Sequence, residues 1–531
     1  MGMKEMPLIK ELGEGRKFWE NDFGPFKAKV LVETPNKLEG VVNFGYKAPY
    51  LLVFSEKDLT QEEAVNFSDS MGFSKIARDY SSSVVFIYPE NGWDDAPESL
   101  FRDVIANSRI HQYYKDGVVT SKDRFTGQWG DCFIRGAIFR TCVYGRGKAA
   151  DHIARYLLKT YEGEFLWGPG EITPASVVLE NLSVMPDIGR RDIPVVSVGN
   201  SDEINAYLKK QCDDVLIKSE LNFENDFYSF LVKFKRWCGN QEINPDLNSM
   251  NLIEEPGYVE VKTSPDNCGD DKDTTSHKIG YVAYYRKGLL DNPKVPFLLV
   301  FHGGGDSAFY IMYESRWVDV ASQNDVLIVS VENHLNSTAT ETIELLEDLK
   351  KIYPVDGSRV YASGFSMGGC KCWDLYQEYP QYFAALAPND ATFEVGDNVY
   401  GKKAPVEINK NVSVPIFYTG GEITPLPELP FQEHKCWDRT RYVFEVNRLK
   451  TPYNVTFEDQ SSWKNKIWGI DGDKIEKIED KSRDSVLTLN YFENEDGVYS
   501  TVFGSISGQG HECRAHTCAQ AWKFISQFSR K

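Results

Sequence analysis

The sequence has little cysteine, no long apolar run and a shortage of basic residues. Its 531 residues include 10 cysteines, too few and too widely spaced for a disulfide-built scaffold. No apolar stretch approaches the roughly 18 residues that a membrane-spanning helix needs. Asp and Glu outnumber Lys and Arg by 78 to 59, and the net charge of −19 repels phosphate backbones and anionic lipids. We therefore expect neither nucleic-acid binding nor membrane binding.

The amino terminus gives no sign of export. Residues Met1–Pro25 carry charges throughout and lack the apolar core of a secretion signal. We expect a cytoplasmic protein, whereas a signal removed from this sequence would make it a secreted one. Most cysteines are expected to be buried free thiols, and a single bridge between Cys513 and Cys518 stays open.

The chain contains an internal repeat. Its length fits two to four domains, and four segments of the first half match four of the second half in the same order. The matched pairs are Pro49–Phe54 with Pro296–Phe301, Val84–Asn91 with Val326–Asn333, Val143–Gly145 with Ala362–Gly364, and Pro194–Gly199 with Pro415–Gly420. The first half carries an insertion of roughly 25 residues between Asn91 and Gly145, which is typical of a surface loop.

Each half alternates short apolar runs with helical patterns. Runs such as Phe297–Phe301 are typical of strands buried on both faces of a parallel sheet. Between two such runs, residues 343–352 carry an apolar stripe with helical spacing, and charged residues fill the other faces. This alternation predicts an α/β fold with a doubly wound sheet in each half.

A G-x-S-x-G motif lies in the second half, between a strand pattern and a helix pattern. It reads Gly364-Phe-Ser366-Met-Gly368. A sharp strand-to-helix turn needs glycine two residues before and after the nucleophile, because side chains there would collide. The turn lifts the hydroxyl clear of the backbone, and the helix N-terminus offers N–H groups to an oxyanion. The motif predicts Ser366 as a nucleophile.

A glycine-rich loop, His302–Gly305, follows the strand pattern Phe297–Phe301. Glycines at this place leave a backbone N–H open toward the carbonyl oxygen of the group under attack. We expect the N–H of Gly303 or Gly304, together with that of Met367, to form an oxyanion hole. The histidine of the loop is expected to brace it rather than to react.

A serine nucleophile also needs a base and an acid, and both should come later in the chain. His511 ends a Gly-Gln-Gly-His loop before the final helical pattern and is the expected base. The acid, which holds the imidazole tautomer and stabilises imidazolium, should follow the strand pattern Val414–Thr419. Glu422 is the first choice, and Glu428 and Asp390 are the alternatives.

Around these residues the second half resembles the serine esterases of the α/β-hydrolase fold. The similarity is to the group of feruloyl and acetyl-xylan esterases and polyhydroxybutyrate-depolymerase-like enzymes. It is most specific across Gly364–Gly369, Trp373–Leu375 and Phe383–Pro388, and it covers about residues 255–531. The resemblance implies ester hydrolysis through an acyl-enzyme, with no metal and no organic cofactor. The usual aspartate after the acid strand is not evident, so Glu422 is inferred rather than matched.

The first half lacks each catalytic part. Charged segment Ser55–Asp58 stands where the glycine-rich loop stands, and Gly147 occupies the nucleophile position. We therefore expect two tandem doubly wound α/β-hydrolase-like domains. Residues 1–248 would form a degenerate, non-catalytic domain and residues 249–531 the catalytic one. The first domain would serve as a scaffold, wall the cleft or support a homodimer.

The substrate is the least specified part of the hypothesis. Four aromatic residues flank the acid and the base, and they would either stack on a phenolic acyl group or a sugar, or fill loop cores: Tyr400, Trp437, Trp463 and Trp468. The first choice is a hydroxycinnamoyl (feruloyl) ester of plant polysaccharide, followed by an acetyl-xylan or short hydroxyalkanoate ester. The alternatives from other classes are a serine peptidase or acyltransferase and a non-catalytic binding protein.

Overall fold

A computed structural model describes most of the chain. The described residues are 4–5, 7–22, 26–34, 38, 41–44, 47–109, 113–115, 118–119, 134–156, 174–189, 193–227, 237–238, 241–242, 245–269, 271–304, 306–332, 334–398, 408–463, 466–481 and 483–530. The predicted insertion between Asn91 and Gly145 falls partly outside them, as do Gly305 and Tyr400.

The chain divides into two compact units, and the first extends to Pro245. Its strands are β1 (Lys4–Glu5), β2 (Lys10–Gly13), β3 (Arg16–Asp22), β4 (Phe26–Glu33), β5 (Pro49–Phe54), β6 (Ser83–Pro89), β7 (Tyr113–Lys115), β8 (Val118–Val119), β9 (Ala137–Arg146), β10 (Ser176–Glu180), β11 (Val195–Val198), β12 (Val215–Lys218), β13 (Trp237–Cys238) and β14 (Gln241–Glu242). Its helices are α1 (Gln61–Met71), α2 (Phe73–Asp79), α3 (Leu100–Arg109), α4 (Lys148–Tyr156), α5 (Asp202–Gln211) and α6 (Phe223–Asp226).

The second unit covers Asp246–Lys531. Its strands are β15 (Leu252–Lys262), β16 (Ser276–Arg286), β17 (Val295–Phe301), β18 (Leu327–Val331), β19 (Val355–Phe365), β20 (Ala385–Asn389), β21 (Ile416–Gly421), β22 (Lys474–Asp480), β23 (Ser485–Glu493) and β24 (Tyr499–Ile506). Its helices are α7 (Ala308–Glu314), α8 (Trp317–Gln323), α9 (Ala339–Ile352), α10 (Met367–Glu378), α11 (His434–Val446) and α12 (Ala515–Ile525).

The main sheets of the two units share one strand order. The order β3-β4-β6-β5-β9-β10-β11-β12 in the first corresponds to β15-β16-β18-β17-β19-β20-β21-β24 in the second. In both, the first two strands are antiparallel and the second is antiparallel to its next neighbour. The following pairs of this series are parallel. In the second unit this topology is that of an α/β-hydrolase-like fold, with the antiparallel strands β23 and β22 added beyond β24.

Both faces of each sheet are covered, as the continuous apolar runs predict. In β17, Phe297 and Leu299 join a core that includes residues of α9, α10 and α11. The alternate residue Leu298 is buried toward the opposite face. There, Phe524 of α12 packs on Phe417 of β21 with ring centroids 6.0 Å apart. The first unit likewise has one core cluster on each face of its sheet.

Helix α9 confirms the predicted helical stripe and shows how its start is fixed. Thr338 accepts a hydrogen bond from the Glu341 N–H, and the Glu341 carboxylate accepts one from the Thr338 N–H, which is a capping box. Leu346 and Leu349 are buried, whereas Ile352 at the end of the stripe is exposed. The stripe therefore buries its centre and not its last turn.

Eight cysteines in the described part of the chain are free thiols. The Sγ atoms of Cys513 and Cys518 lie 3.5 Å apart and are not bonded. Separately, among the described residues no helix combines the length and apolarity needed to cross a membrane.

Candidate active site

The G-x-S-x-G motif forms a strained turn between β19 and α10. Ser366 has φ +53° and ψ −119°, a conformation that costs free energy for a residue with a side chain. Its N–H donates to the carbonyl of Asn389 at 3.1 Å. A Cβ on Gly364 would lie 2.2 Å from the Gly368 carbonyl oxygen. Gly364 is therefore required for the turn, as the motif predicts, and Gly368 is required by the neighbouring strand, because a Cβ there would lie 2.1 Å from the Phe301 carbonyl oxygen.

The histidine loop brings His511 to this turn. His511 Nε2 lies 2.8 Å from Ser366 Oγ across 145 residues of sequence. Its ring packs against Phe365, with centroids 4.9 Å apart. The buried side chain of Gln509, two residues before the histidine, donates to the Glu512 carbonyl at 2.8 Å. Because the loop is held on both sides of the histidine, the imidazole is positioned before substrate binds.

The acid at the imidazole is Glu428, and the prediction that Glu422 lies there is wrong. His511 Nδ1 is 2.6 Å from Glu428 Oε1, whereas Glu422 accepts a hydrogen bond from Ser505 Oγ at 2.9 Å. The Glu422 N–H donates to Ile506 at 3.1 Å, so this residue continues the pairing of β21 with β24. The chain then turns back through Thr424-Pro-Leu-Pro427, and that turn signal in the sequence could have pointed to the residue after it.

Glu428 is held by several partners. It is 1% exposed, and Thr424 Oγ1 donates to its Oε1 at 3.0 Å. Its Oε2 accepts from the N–H of Gly421 at 3.0 Å. A carboxylate only accepts hydrogen bonds, so His511 donates from Nδ1 and leaves Nε2 to accept the proton of Ser366.

Asp390, the other alternative acid, lies beside Glu428 and not against the imidazole in any described hydrogen bond. It follows β20, and its Oδ1 accepts from the same Gly421 N–H at 3.0 Å. Burial first, and then the charge of Glu428, raise the pKa of Asp390 well above its ordinary value. The end of β20 and the loop after β21 thus bring two carboxyl groups together.

A buried network braces the glycine-rich loop. His302 Nδ1 is 2.7 Å from the Gly303 carbonyl oxygen, and its Nε2 is 3.3 Å from Glu332 Oε1. His334 Nε2 is 2.7 Å from the His302 carbonyl oxygen. Burial lowers the pKa of His302, but the hydrogen bond and charge of Glu332 outweigh it and raise the pKa overall. His302 therefore has the bracing position that the sequence predicts.

The loop distinguishes its two candidate oxyanion donors. A Cβ on Gly303 would lie 2.9 Å from Asp306 Oδ2, and burial raises the pKa of Asp306 to about 6. A Cβ on Gly304 would lie 3.3 Å from the Met367 side chain, so Gly304 faces the start of α10. Gly303 thus lies against Asp306 of its own loop, whereas Gly304 and Met367 are neighbours at the turn.

Two of the four aromatic residues that flank the acid and base in the sequence are buried in the core. Trp463 is 5% exposed and Trp468 is 1% exposed, and Trp468 stacks on Phe503 with centroids 4.8 Å apart. Trp437 donates from Nε1 to the Val455 carbonyl at 3.0 Å. Of the two roles considered for these side chains, packing is the one observed for Trp463 and Trp468.

The first unit repeats the backbone of the turn without the reactive groups. Gly147 has φ +56°, and its N–H donates to the backbone carbonyl of Glu180, at the end of β10, at 2.9 Å. Ser201, near the acid position, caps helix α5. The sequence has no histidine between His152 and His277. The turn is therefore present without a nucleophile and without a base.

Comparisons with known proteins give partial likenesses to esterases. No protein-family model matches the chain. The sequence is 28% identical over 138 residues to the bifunctional acetylxylan esterase/xylanase XynS20E of Neocallimastix patriciarum, covering 24% of this chain and 19% of that protein. The chain thus spans about a fifth of the length of this curated relative.

Solved structures of esterases are similar over about half of the chain. An acetyl xylan esterase from Aspergillus awamori is 10% identical, with 51% of this chain and 98% of that one covered and a TM-score of 0.33. The S-formylglutathione hydrolase FrmB of Staphylococcus aureus is 11% identical, with coverages of 51% and 97% and a TM-score of 0.30. With TM-scores this low, the fold assignment rests on strand order and on the strand-to-helix turn.

Proposed function

We propose that this chain is a serine carboxylesterase with Ser366 as nucleophile, His511 as base and Glu428 as acid. One observation carries the proposal: the hydrogen-bonded series Glu428–His511–Ser366, with distances of 2.6 and 2.8 Å. Three residues far apart in the sequence meet in the order that a serine triad needs. Their positions after β19, β21 and β24 support this reading.

Acylation follows from the geometry. His511 Nε2 accepts the proton of Ser366 as its Oγ attacks the ester carbonyl carbon. The charge that develops on the carbonyl oxygen is stabilised by the N–H groups of Gly304 and Met367, at the N-terminal end of α10. His511 then gives the proton to the departing alcohol, and Glu428 stabilises the imidazolium between these two transfers.

Deacylation uses the same groups in reverse. His511 takes a proton from water as the water attacks the acyl group on Ser366. The oxyanion forms again at the N–H pair, and the tetrahedral intermediate releases the carboxylic acid as Ser366 regains its proton. Each proton lost by a nucleophile is returned to a leaving group, so these residues complete the cycle and no metal or organic cofactor is needed.

We further propose that the chain is a tandem of two α/β-hydrolase-like domains of which the first is degenerate. The shared strand order and the matching φ angles of Gly147 and Ser366 support a duplication. The missing nucleophile and base support loss of catalysis in residues 1–248. Its remaining roles are those of a scaffold, a cleft wall or a dimer surface.

For the substrate, a hydroxycinnamoyl ester, free or linked to plant polysaccharide, is the first candidate, and an acetyl-xylan or short hydroxyalkanoate ester is the second. Ile423 and Leu426 are 68% and 50% exposed on the loop that carries Glu428. We propose that these two apolar side chains contact the non-reacting part of the ester. The buried Trp463 and Trp468 give no additional support to the aromatic acyl group.

The experiment compares turnover of p-nitrophenyl acetate, methyl ferulate and a peptide amide by the wild type and by Ser366→Ala. We expect both esters to be hydrolysed, the amide to persist, and the variant to be inactive. A wild type that hydrolyses neither ester would reject the esterase. Amide cleavage would favour a peptidase, and ester turnover that survives in the variant would reject Ser366.

A further inference from the structure

The loop after β20 places a second carboxyl group behind the acid of the triad. Asp390 is 2% exposed, and its φ of +48° is one that few residues with side chains adopt. The Asp390 N–H donates to the Thr419 carbonyl at 2.9 Å. Because the backbone is anchored in an unfavourable conformation, the direction of the Asp390 side chain is imposed by the fold.

The two carboxyl groups share one donor. The N–H of Gly421 lies 3.0 Å from Asp390 Oδ1 and 3.0 Å from Glu428 Oε2, so the two carboxyl groups meet at one N–H. The second carboxyl oxygen of Asp390, Oδ2, is buried without a hydrogen-bond partner among the described residues. Two carboxylates cannot hydrogen-bond to each other unless one of them carries a proton. Like charges this close also disfavour double ionisation.

The proton belongs on Asp390. Glu428 already accepts hydrogen bonds from His511 and Thr424, which favour its ionised form. The groups facing Asp390 supply no comparable partner: Glu428 and Glu512 are acids, and Tyr418 and Cys513 are neutral with raised pKa values. Burial and the charge of Glu428 raise the pKa of Asp390 itself.

We propose that Asp390 is a positioning residue whose protonated carboxyl group donates a hydrogen bond to Glu428 and fixes the orientation in which Glu428 binds His511. This rests on the proposed esterase function and deepens it. Asp390 acts through Glu428, and does not itself touch substrate or imidazole. The site then holds a single negative charge in its two carboxyl groups, and that charge lies on the residue that faces the histidine.

The first unit offers a matched side chain for the test. Asn181 follows β10 as Asp390 follows β20, with φ +49°, and its N–H donates to the Val198 carbonyl at 3.0 Å. An amide at this backbone position is thus compatible with the fold. Asp390→Asn keeps the shape, the neutral charge and a donor to Glu428, whereas Asp390→Gly keeps the positive φ without strain and removes the donor.

Kinetics on p-nitrophenyl acetate should separate the two variants. We expect Asp390→Asn to stay within about threefold of wild-type kcat, and Asp390→Gly to lose about 10- to 100-fold in kcat at unchanged KM, the range for a lost hydrogen bond to a charged group. Equal losses in both variants would overturn the proposal, since a neutral donor would not suffice.

The pH dependence of kcat/KM tests whether Asp390 is charged. If Asp390 is neutral, Asp390→Asn removes no charge and the acidic limb of kcat/KM stays in place. If Asp390 is ionised, the substitution removes a negative charge near the imidazole, imidazolium becomes less stable, and the limb moves to lower pH. A shift of that kind would overturn the proposal.

A double substitution tests the route of action. In a Glu428→Gln background, Asp390→Gly should cause no further loss, because Asp390 acts only through Glu428. An added loss equal to that in the wild-type background would show that Asp390 acts on its own, as a second acid.

One measurement does not depend on esterase activity. An infrared difference spectrum of wild type minus Asp390→Asn at neutral pH should contain the C=O stretch of a protonated carboxyl group. Its absence would overturn the proposal even if esters are hydrolysed. If this band is present in a protein that hydrolyses no ester, the proposed function is rejected, but the proposal that Asp390 is protonated is kept.

Discussion

The two units keep the same strand-to-helix backbone, but only the second brings the helix close to the glycine-rich loop. After Ser366 the second unit has Gly368, where a Cβ would lie 2.1 Å from the Phe301 carbonyl oxygen. After Gly147 the first unit has Ala149 at the equivalent position of α4. The second unit therefore needs glycine at this position of its helix, whereas the first unit accommodates a side chain there.

The largest expected effect comes from giving the second unit the side chain of the first. Ser366→Gly should lower kcat for p-nitrophenyl acetate by about 100,000-fold or more, since the nucleophile is lost. The reciprocal Gly147→Ser, added to this variant, should restore nothing, because the first unit has no base for it. Labelling with a fluorophosphonate should be lost in both variants, and labelling at residue 147 would contradict the comparison.

The acid should give the next largest effect. Glu428→Gln removes the charge that stabilises imidazolium at His511, and we expect kcat to fall about 1,000-fold. Glu422→Gln is the matched control, six residues earlier on the same loop, and should change kcat less than about threefold. Steady-state kinetics on one ester decides between them, and the reverse ranking would return the acid role to Glu422.

Helices α4 and α10 each bury a basic side chain at the same position after the turn. We expect the one in α4, His152, to make the free energy of unfolding depend on pH. His152 of α4 packs against Phe54 and Trp93, where burial lowers its pKa to about 4. Lys371 of α10 is buried at the matching position, and burial likewise lowers its pKa. The first unit therefore buries a neutral imidazole where the second buries a lysine that donates to the Ser337 carbonyl.

The direction of the pH effect on stability follows because the pKa of His152 is lower in the folded protein than in the unfolded chain. The contribution of neutral His152 is complete above a pH of about 6.5 and is lost as the pH falls toward about 4. His152→Phe should reduce this loss by about 3 kcal/mol. Urea unfolding of both proteins at neutral pH and near pH about 4 measures it, and parallel losses in both would contradict the assignment.

The smallest effect concerns the glycine-rich loop. Gly304→Ala adds a Cβ 3.3 Å from the flexible Met367 side chain, so the loop must shift slightly. We expect kcat to fall about tenfold, less than for removal of an oxyanion donor, with KM unchanged. Gly357→Ala, where a Cβ meets nothing within 4 Å, is the control, and an equal loss there would reject a specific effect.

The fold and two members of the proposed triad could be predicted from the sequence because their signals are local. The glycines around Ser366 follow from the collision that they avoid, and His511 follows from its place in a loop before the last helix. The matched apolar segments lie in β5 and β17, β6 and β18, β9 and β19, and β11 and β21, at equivalent places in the two sheets.

The proposed acid, Glu428, could not be predicted from local signals, because its position depends on the path of a loop. Glu422 follows the strand directly, but strand pairing continues through it and turns its carboxylate to Ser505. Glu428 reaches the imidazole only after the chain reverses, and the Gln432 side chain fixes that reversal by accepting from the Glu428 N–H at 2.7 Å. Such contacts are set by tertiary structure and not by residue order.

The hairpin beyond β24 has a consequence for assembly. Strand β22 is the outer edge of the second sheet, and its sequence, Lys-Ile-Glu-Lys-Ile-Glu-Asp, carries charge at five of seven positions. A charged edge strand resists pairing with the edge of another chain. If the protein forms a homodimer, we therefore expect the subunits not to pair through β22.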